Sequence, residues 1–189
     1  MRALELDDDD HLVGTAITDG SCDIMLMTSD GKSMRFAESD VRAMGRTARG
    51  VRGVRLAGSH RVIALIIPRE GHQILTASRN GYGKRTAVTD FPVKGRGGLG
   101  VIAQQCSERN GALVGAVQVV SGEEMMLISD QGKLVRTRVD EVSQTGRNTQ
   151  GVMLIRLKDE EHLVGVERIE ETVDEDAGAS DNGRDGQPE

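Results

Sequence analysis

The sequence predicts an all-β fold built from repeated small sheets of four antiparallel strands, or blades. The first observation behind this prediction is an internal repeat, in which similar residues return at steps of 50 and then 51 positions along the 189-residue chain. The second is the apolar pattern, which comes in short runs or alternates and nowhere follows the spacing of a long amphipathic helix. Repeats of this length are typical of propeller-like or solenoid arrays.

The repeat boundaries follow from recurring dipeptides. Asp-Gly, Asn-Gly or Gln-Gly stands at positions 30, 80 and 131, and Gly-Arg stands at 45, 95 and 146. We therefore place three blade repeats at residues 11–60, 61–110 and 111–161. Since a closed propeller usually needs about four to eight blades, three repeats predict an open arc or part of a larger ring, with strand edges that invite pairing with another chain.

Four strands are predicted in each repeat, and in the first they cover Leu12–Thr18, Asp23–Ser29, Lys32–Ala37 and Gly50–Leu56. Asp30-Gly31 lies between two of them and predicts a tight hairpin in which both turn residues take a positive φ. The stretch from Ala37 to Gly50 is expected to form a long loop or one helical turn.

The two ends of the chain have separate interpretations. Ala3–Leu6 resembles Leu154–Leu157, the end of a repeat, so residues 1–10 are predicted to supply the last strand of a preceding blade. Residues 162–170 are predicted to be a closing strand, which either starts a further blade or completes the third. From residue 170 onward there are eight acids and one base, while residues 1–169 carry 23 bases and 22 acids. Because this end is so acidic and poor in apolar groups, residues 171–189 are predicted to be a disordered acidic tail.

Composition excludes several classes of protein. Aromatic residues make up 2% of the chain, which argues against a binder that stacks single-stranded bases on aromatic faces. Cys22 and Cys106 are far apart and lie in no Cys-x-x-Cys motif, so neither a disulfide scaffold nor a zinc site is expected. The longest apolar run, Val62–Ile67, is too short to span a membrane, and the start of the chain lacks the apolar stretch of a signal peptide. We expect a cytoplasmic protein that does not contact membranes.

Catalytic and metal sites are not indicated. The four histidines form no Ser/His/Asp or Cys/His arrangement, and no phosphate-binding loop of the Gly-x-x-x-x-Gly-Lys type is present. Asp7–Asp10 lack the alternating ligands of a calcium loop and are interpreted as solvated surface. We expect no enzymatic chemistry, no metal and no cofactor in this chain.

Cations recur at matching positions of the repeats. One set, the hairpin arginines, follows the hairpin turn, and a second set, the Gly-Arg arginines, lies in the Gly-Arg loop. Equivalent residues of stacked repeats lie at similar height and radius, so each set predicts a stripe of charge that suits successive phosphates of double-stranded DNA. A structural role for these side chains is the alternative: the hairpin set favours DNA contact, whereas both roles stay open for the Gly-Arg set. The candidate DNA-binding residues are Arg35, Arg85 and Arg136 (hairpin), Arg46, Arg96 and Arg147 (Gly-Arg), and nearby Lys32, Lys84, Lys94, Lys133 and Arg138.

Four segments carry a resemblance to a known family: Val41–Thr47, Asn80–Thr86, Arg109–Gly111 and, above all, Gly146–Val152. They resemble the C-terminal domain of the DNA gyrase A protein, part of a bacterial type IIA topoisomerase. Residues 1–170 take part, and the acidic end is similar to the variable acidic end of that protein. The resemblance implies a β-pinwheel, a propeller-like disc whose blades exchange a strand with a neighbour, and the chain matches its last three blades.

The resemblance also implies a function. The family's domain binds DNA without sequence preference around a cationic rim and bends it, which supports negative supercoiling by the whole enzyme in the bacterial cytoplasm, at the nucleoid. ATP and magnesium are used by other parts of the enzyme, and the implied partners are double-stranded DNA, the rest of the gyrase A protein, and the gyrase B protein. The family's Gln-Arg-Arg-Gly-Gly-Lys-Gly box is absent, since Lys94–Gly100 resembles it only superficially and lies at the ordinary Gly-Arg position. Tyr82 does not match the family's cleavage tyrosine.

Two alternatives remain open at this point. The first alternative is that the chain resembles the DNA-wrapping domain of topoisomerase IV. The second is that it is a propeller-type scaffold that binds other proteins and does not bind DNA. A further hypothesis is that the acidic tail competes with DNA for the cationic rim.

Overall fold

The computed structural model describes residues 6–169, which form eleven β-strands and three single turns of 3-10 helix. No helix in this part of the chain is long and apolar enough to cross a membrane. The 3-10 turns cover Glu38–Asp40, Val88–Asp90 and Val139–Glu141. The strands are β1 Asp23–Thr28, β2 Lys32–Ala37, β3 Val62–Ile66, β4 Gln73–Ser78, β5 Tyr82–Ala87, β6 Val101–Ile102, β7 Leu113–Val119, β8 Glu124–Ser129, β9 Leu134–Arg138, β10 Val152–Met153 and β11 Leu163–Ile169.

Each sheet draws its strands from two consecutive repeats. The strand orders are β3-β1-β2-β6, β10-β5-β4-β7 and β11-β8-β9, and all strand pairs are antiparallel. In the first two sheets a central hairpin from one repeat is flanked by the first and last strands of the next repeat. The all-β prediction with four-stranded blades is therefore confirmed, with strands exchanged between neighbours.

Two predicted strands of the first repeat are absent from the described structure. Leu12–Thr18 and Gly50–Leu56 form no regular strand. Their counterparts in later repeats pair with the sheet of the preceding repeat, and residues 6–169 contain no such sheet for these two segments. Without a neighbouring strand to bond, an extended segment forms no ladder. By contrast, β1 and β2 fall within a residue of their predicted bounds.

The ends of the chain are described only in part. Within the predicted closing segment 162–170, β11 pairs with β8 and completes the third sheet. Most of the predicted first strand, Ala3–Leu6, and the acidic tail lie outside the described residues. The sequence predicts a long loop or one helical turn from Ala37 to Gly50, and the structure has both, since the 3-10 turn at Glu38–Asp40 is followed by an irregular loop.

The hairpin turns differ from the predicted type. Three residues connect Thr28 to Lys32, and the N–H of Gly31 donates to the carbonyl of Thr28 at 3.0 Å. Gly31 has φ of 81°, whereas Asp30 is not among the described residues with positive φ. The prediction of two positive φ values is wrong because a three-residue loop needs one left-handed residue, at its last position, where it forms a bulge.

The core lies between successive sheets. Met25, Ile74, Phe91 and Leu113 are buried in one cluster between the first and second sheets. A second cluster, which includes Leu75, Leu127 and Leu163, lies between the second and third sheets. Consecutive side chains of β4 point to opposite faces of the middle sheet, and both faces are buried, with Ile74 in the first cluster and Leu75 in the second. The middle sheet therefore packs against both of its neighbours.

One side of the array is an inner side and the opposite one an outer side. The first strands of successive repeats lie together, because β7 contacts both β3 and β11. The approach is close: a Cβ at Gly115 in β7 would lie 2.7 Å from Val166 Cγ1 in β11. The short strands β6 and β10 stand at the other edge of their sheets. We call β3, β7 and β11 the inner strands and the β6 and β10 side the outer edge.

Candidate nucleic-acid interface

Arg35, in β2, holds the next repeat in place. Its Nε donates to Asp23 Oδ2 at 2.9 Å, and its Nη1 donates to the carbonyl oxygens of Val88 and Phe91, both at 3.1 Å. Val88 opens the 3-10 turn of the following repeat, and Phe91 directly follows that turn. The guanidinium therefore joins two repeats and is largely covered by them.

Arg85 makes the equivalent contact one repeat later. Its Nε donates to the carbonyl of Val142 at 2.7 Å, and its Nη1 donates to Gln73 Oε1 at 3.0 Å and to Asp140 Oδ1 at 3.1 Å. The residue is 8% exposed. The expectation that Arg35 and Arg85 contact phosphate is corrected here, because their planar donor forks are used on the carbonyls that follow the 3-10 turn of the next repeat.

Arg136, the third hairpin arginine, has a different environment. Its side chain is 59% exposed and pairs with Glu124 on the neighbouring strand. The described residues contain no fourth repeat whose carbonyls it would bind. One repeat position thus places two arginines inside the protein and one at the surface.

Lys84 is fully buried in β5. Its Nζ donates to the carbonyl oxygen of Gly146 at 2.6 Å and to that of Arg147. Burial, with the nearby Arg147 charge, lowers the pKa of Lys84 to about 8. Its expected role as a surface contact is also corrected, since a side chain with no exposed surface does not reach a phosphate.

The Gly-Arg arginines contact neighbouring repeats but keep exposed surface. Arg96 Nη1 donates to the carbonyl of Arg52 at 3.1 Å, and Arg147 Nη1 donates to that of Ile102 at 3.0 Å. Arg52 and Ile102 occupy equivalent positions of successive repeats. Arg96 is exposed and Arg147 is half-buried, so both roles left open by the sequence are compatible with these positions. Arg46 is exposed, and its side chain makes no hydrogen bond within residues 6–169.

The remaining candidates lie at the surface to different degrees. Lys32 is partly covered and pairs with Asp30 at 3.0 Å. Lys133 is exposed and donates to the carbonyl of Arg156 at 2.7 Å. Lys94 and Arg138 are exposed, with side chains that form no hydrogen bond in the described part of the chain.

Three stretches, which we call the outer segments, carry bases and no acids. They are residues 41–57, 91–107 and 142–158, and each runs from the end of a 3-10 turn through the Gly-Arg loop and the outer-edge strand or its counterpart. They contain five, two and three bases respectively and no Asp or Glu. Arg147 is half-buried, and the other nine bases are exposed: Arg42, Arg46, Arg49, Arg52, Arg55, Lys94, Arg96, Arg156 and Lys158.

Few of these bases are neutralised by the protein itself. Within residues 6–169, the ion pair of Arg49 with Asp7, at 3.3 Å, is the one formed by a base of the outer segments. Arg55 and Arg156 occupy equivalent repeat positions, but the second repeat has Gln105 there, and Lys158 has no cation at its equivalent positions. A search for cations in all three repeats therefore misses these residues. The signal that finds them is the absence of acids over 17 residues in each repeat.

One cluster of possible metal ligands occurs among the described residues. Ligand atoms of Asp19, Cys22 and Glu38 lie within 4.8 Å of one another. The carboxylates already accept hydrogen bonds from Thr18, Gly20 and Ser21. Hydrogen bonds from the protein itself thus use some of the acceptor positions of these carboxylates, and the expectation of a chain without a metal stays a prediction.

Comparison with protein families gives one match that extends over most of the described residues. The model of the DNA gyrase C-terminal domain, a β-propeller, matches three times, at residues 23–69, 72–119 and 123–170. These three matches cover more than half of the chain and follow the three-fold repeat found in the sequence.

The curated relatives that match this chain are A subunits of DNA gyrase. The chain is 62% identical over 171 residues to the DNA gyrase A protein of Pseudomonas aeruginosa, and the match covers 90% of this chain and 18% of the relative. It is 52% identical over 174 residues to the Escherichia coli K12 protein, covering 92% and 20%. The chain thus spans about a fifth of the length of these relatives.

Solved structures agree in fold. A DNA gyrase A C-terminal domain superposes with a TM-score of 0.80 at 26% identity, covering 88% of this chain and 57% of that one. The C-terminal domain of DNA topoisomerase IV superposes with a TM-score of 0.83 at 22% identity, covering 89% and 53%. The second likeness concerns the fold alone.

Proposed function

The chain belongs to the family of the DNA gyrase C-terminal domain, and we propose that it binds double-stranded DNA without sequence preference and bends it along its outer edge. The observation that carries this proposal is the set of three acid-free outer segments with their ten bases. Phosphate contacts need charge and reach but no base-reading geometry, so similar segments in successive repeats suit a DNA backbone that follows the array.

Bending requires several contacts to act together. Bending a duplex of tens of base pairs costs on the order of 1–6 kcal/mol, which one surface ion pair does not supply. The bases are spread over three consecutive repeats, so they offer a track rather than a single point of attachment. In the longer proteins that contain this domain, we propose that the bent DNA supports ATP-dependent negative supercoiling by the rest of the gyrase A protein with the gyrase B protein, at the nucleoid in the bacterial cytoplasm.

A scaffold that binds protein is the second candidate, and one observation favours it. Strand β9 has no outer neighbour among the described residues, and Leu134 on it is 62% exposed. An unpaired strand edge with an apolar side chain is a template for another chain. This candidate leaves the outer segments without a role, which is why we place it second.

Paired charge reversals distinguish the two candidates. Arg42→Glu with Arg46→Glu changes two exposed outer bases, and Arg61→Glu with Arg69→Glu changes two exposed bases that flank inner strand β3. None of these four side chains makes a hydrogen bond within residues 6–169, so both variants should fold. We expect the first pair to weaken binding of a duplex of about 40 base pairs by about tenfold or more and the second to have a much smaller effect, with bending followed by energy transfer between the duplex ends. Equal effects of the two pairs would contradict the outer-edge assignment, and no duplex binding by the unaltered chain would favour the scaffold.

A further inference from the structure

The loop from Gly146 to Thr149 has its carbonyl groups turned inward. Lys84 has no exposed surface, and its ammonium group binds the carbonyl oxygens of Gly146 and Arg147. In a trans peptide the C=O of one residue and the N–H of the next point in opposite directions. The N–H groups of Arg147 and Asn148 therefore point away from Lys84, and neither makes a hydrogen bond within residues 6–169.

Other contacts fix this loop from the side of the second repeat. Thr86 Oγ1 donates to the carbonyl of Thr145 at 3.0 Å, and the N–H of Gln105 donates to that of Thr149 at 2.9 Å. The loop is thus anchored before, within and after the two outward N–H groups. A surface depression of about 440 Å³ lies against it, lined by Gly146–Thr149 and Asp90.

The groups around the depression match an anion. Successive N–H groups on one side of a loop form a concave site for oxyanions. Arg147 is one of the residues that line this depression. Its guanidinium uses Nη1 on the carbonyl of Ile102, which leaves its other donors for a ligand. We propose that the loop Gly146–Thr149 is a seat for one phosphate of a DNA backbone, and that Lys84 is the positioning residue that turns its N–H groups outward. This inference rests on the proposed function and names one contact point within it.

The seat is particular to one repeat. The positions equivalent to Lys84 hold Met34 and Val135, whose side chains have no hydrogen-bond donor. In the preceding repeat the methionine lies under glycine, since a Cβ at Gly98 would stand 3.0 Å from Met34 Cε. Asp90 is the one acid that lines the depression, and its charge opposes an anion, whereas Lys84 and Arg147 both favour one.

Amide resonances of the whole chain test the seat directly. Inorganic phosphate and, separately, a short DNA duplex are titrated into the ¹⁵N-labelled protein. We expect the Arg147 and Asn148 amides to shift and saturate with both ligands. Duplex shifts at other outer bases with these two amides unmoved would overturn the seat and leave the proposed function standing. A duplex that shifts no resonance at all would overturn the proposed function and the seat with it.

Two variants separate positioning from general stability. Lys84→Met places the residue of the preceding repeat under the loop. We expect it to abolish the phosphate-induced shifts of the Arg147 and Asn148 amides, while the strand resonances of the first and third sheets stay unchanged. Asp90→Asn removes the opposing charge from an exposed side chain, and we expect it to lower the half-saturating phosphate concentration several-fold. If Lys84→Met does not fold, Asp90→Asn decides: unchanged phosphate affinity in that variant overturns the proposal.

Discussion

Arg85 Nε lies 2.7 Å from the carbonyl oxygen of Val142, a residue 57 positions further along the chain. Arg35 makes the equivalent contact to Val88, in the 3-10 turn of the second repeat, and to Phe91, directly after that turn. A charged residue that recurs with the repeat therefore holds consecutive repeats together. Recurrence of a cation is therefore compatible with an internal structural role, and the exposure of each member decides which role it has.

Removing this contact should destabilise the fold. Arg85→Met leaves the buried carbonyl of Val142 without its donor, and we expect a loss of about 2–4 kcal/mol in the free energy of unfolding. Arg136→Met is the matched control, since the same repeat position is exposed there and its ion pair contributes less than about 1 kcal/mol. Urea unfolding of both variants measures the difference, and equal losses would contradict the structural assignment.

The hairpin turn at Gly81 is packed against the following repeat, whereas the turn at Gly132 is not, so glycine is required more strictly at Gly81. Gly81 and Gly132 have φ of 81° and 79°, but a Cβ at Gly81 would lie 2.5 Å from the carbonyl oxygen of Ile155, whereas Gly132 has open space. We expect Gly132→Ala to cost about 1–2 kcal/mol from the positive φ alone, and Gly81→Ala to cost about 1–3 kcal/mol more from overpacking. Urea unfolding midpoints compare the two, and a Gly132→Ala loss as large as that of Gly81→Ala would argue against the packed strand exchange.

Lys84 gives the stability a pH dependence of known sign. Its pKa is about 8 in the folded protein, against the ordinary lysine value of 10.5 in the unfolded chain. Between these two pH values the unfolded state therefore binds more protons than the folded state. Stability relative to Lys84→Met should then rise with pH across this window, by at most about 1.4 kcal/mol per unit. Urea unfolding at pH 7 and pH 9.5 tests this, and a constant difference between the two proteins would show that burial does not lower the pKa of the lysine.

The acidic end of the chain is expected to weaken DNA binding at low salt. Residues 170–189 carry eight acids and one base, and we expect this negative excess to compete with phosphates for the cationic outer segments. Deletion of residues 171–189 should tighten binding of a duplex at low salt and have little effect at high salt, where charges are screened. Affinity that the deletion leaves unchanged at low salt would refute this competition.

The repeat and the central hairpins could be predicted because their signals are local. Asp30-Gly31 marks a turn between two apolar runs, and the strands on either side form as expected. The failure at Leu12–Thr18 has a non-local cause, since the pattern of a strand is present but its hydrogen-bonding neighbour belongs to another repeat. Pattern shows which segments suit a sheet, whereas pairing decides which segments form one.

The candidate site was predictable in kind but not residue by residue. Matching repeat positions identified Arg46, Arg96 and Arg85, and proximity to these arginines added Lys94 and Lys84. The structure exposes Arg46, Arg96 and Lys94. It buries Arg85 and Lys84. Burial of these two depends on carbonyls supplied by the next repeat, 57 to 63 residues away, and single positions do not reveal that. A count of acids over whole segments separates the surfaces better, because an uninterrupted run of bases without acids is a property of a face rather than of one residue.

The dependence of duplex affinity on salt tests the central claim most directly. Each neutralised phosphate adds about −0.9 to the slope of log K against log salt for duplex DNA. With at least four of the ten outer bases engaged, the slope should be about −4 or steeper. The Arg42→Glu, Arg46→Glu pair should make this slope less steep by about 2. A slope between 0 and about −1 for the unaltered chain would contradict binding through the outer segments.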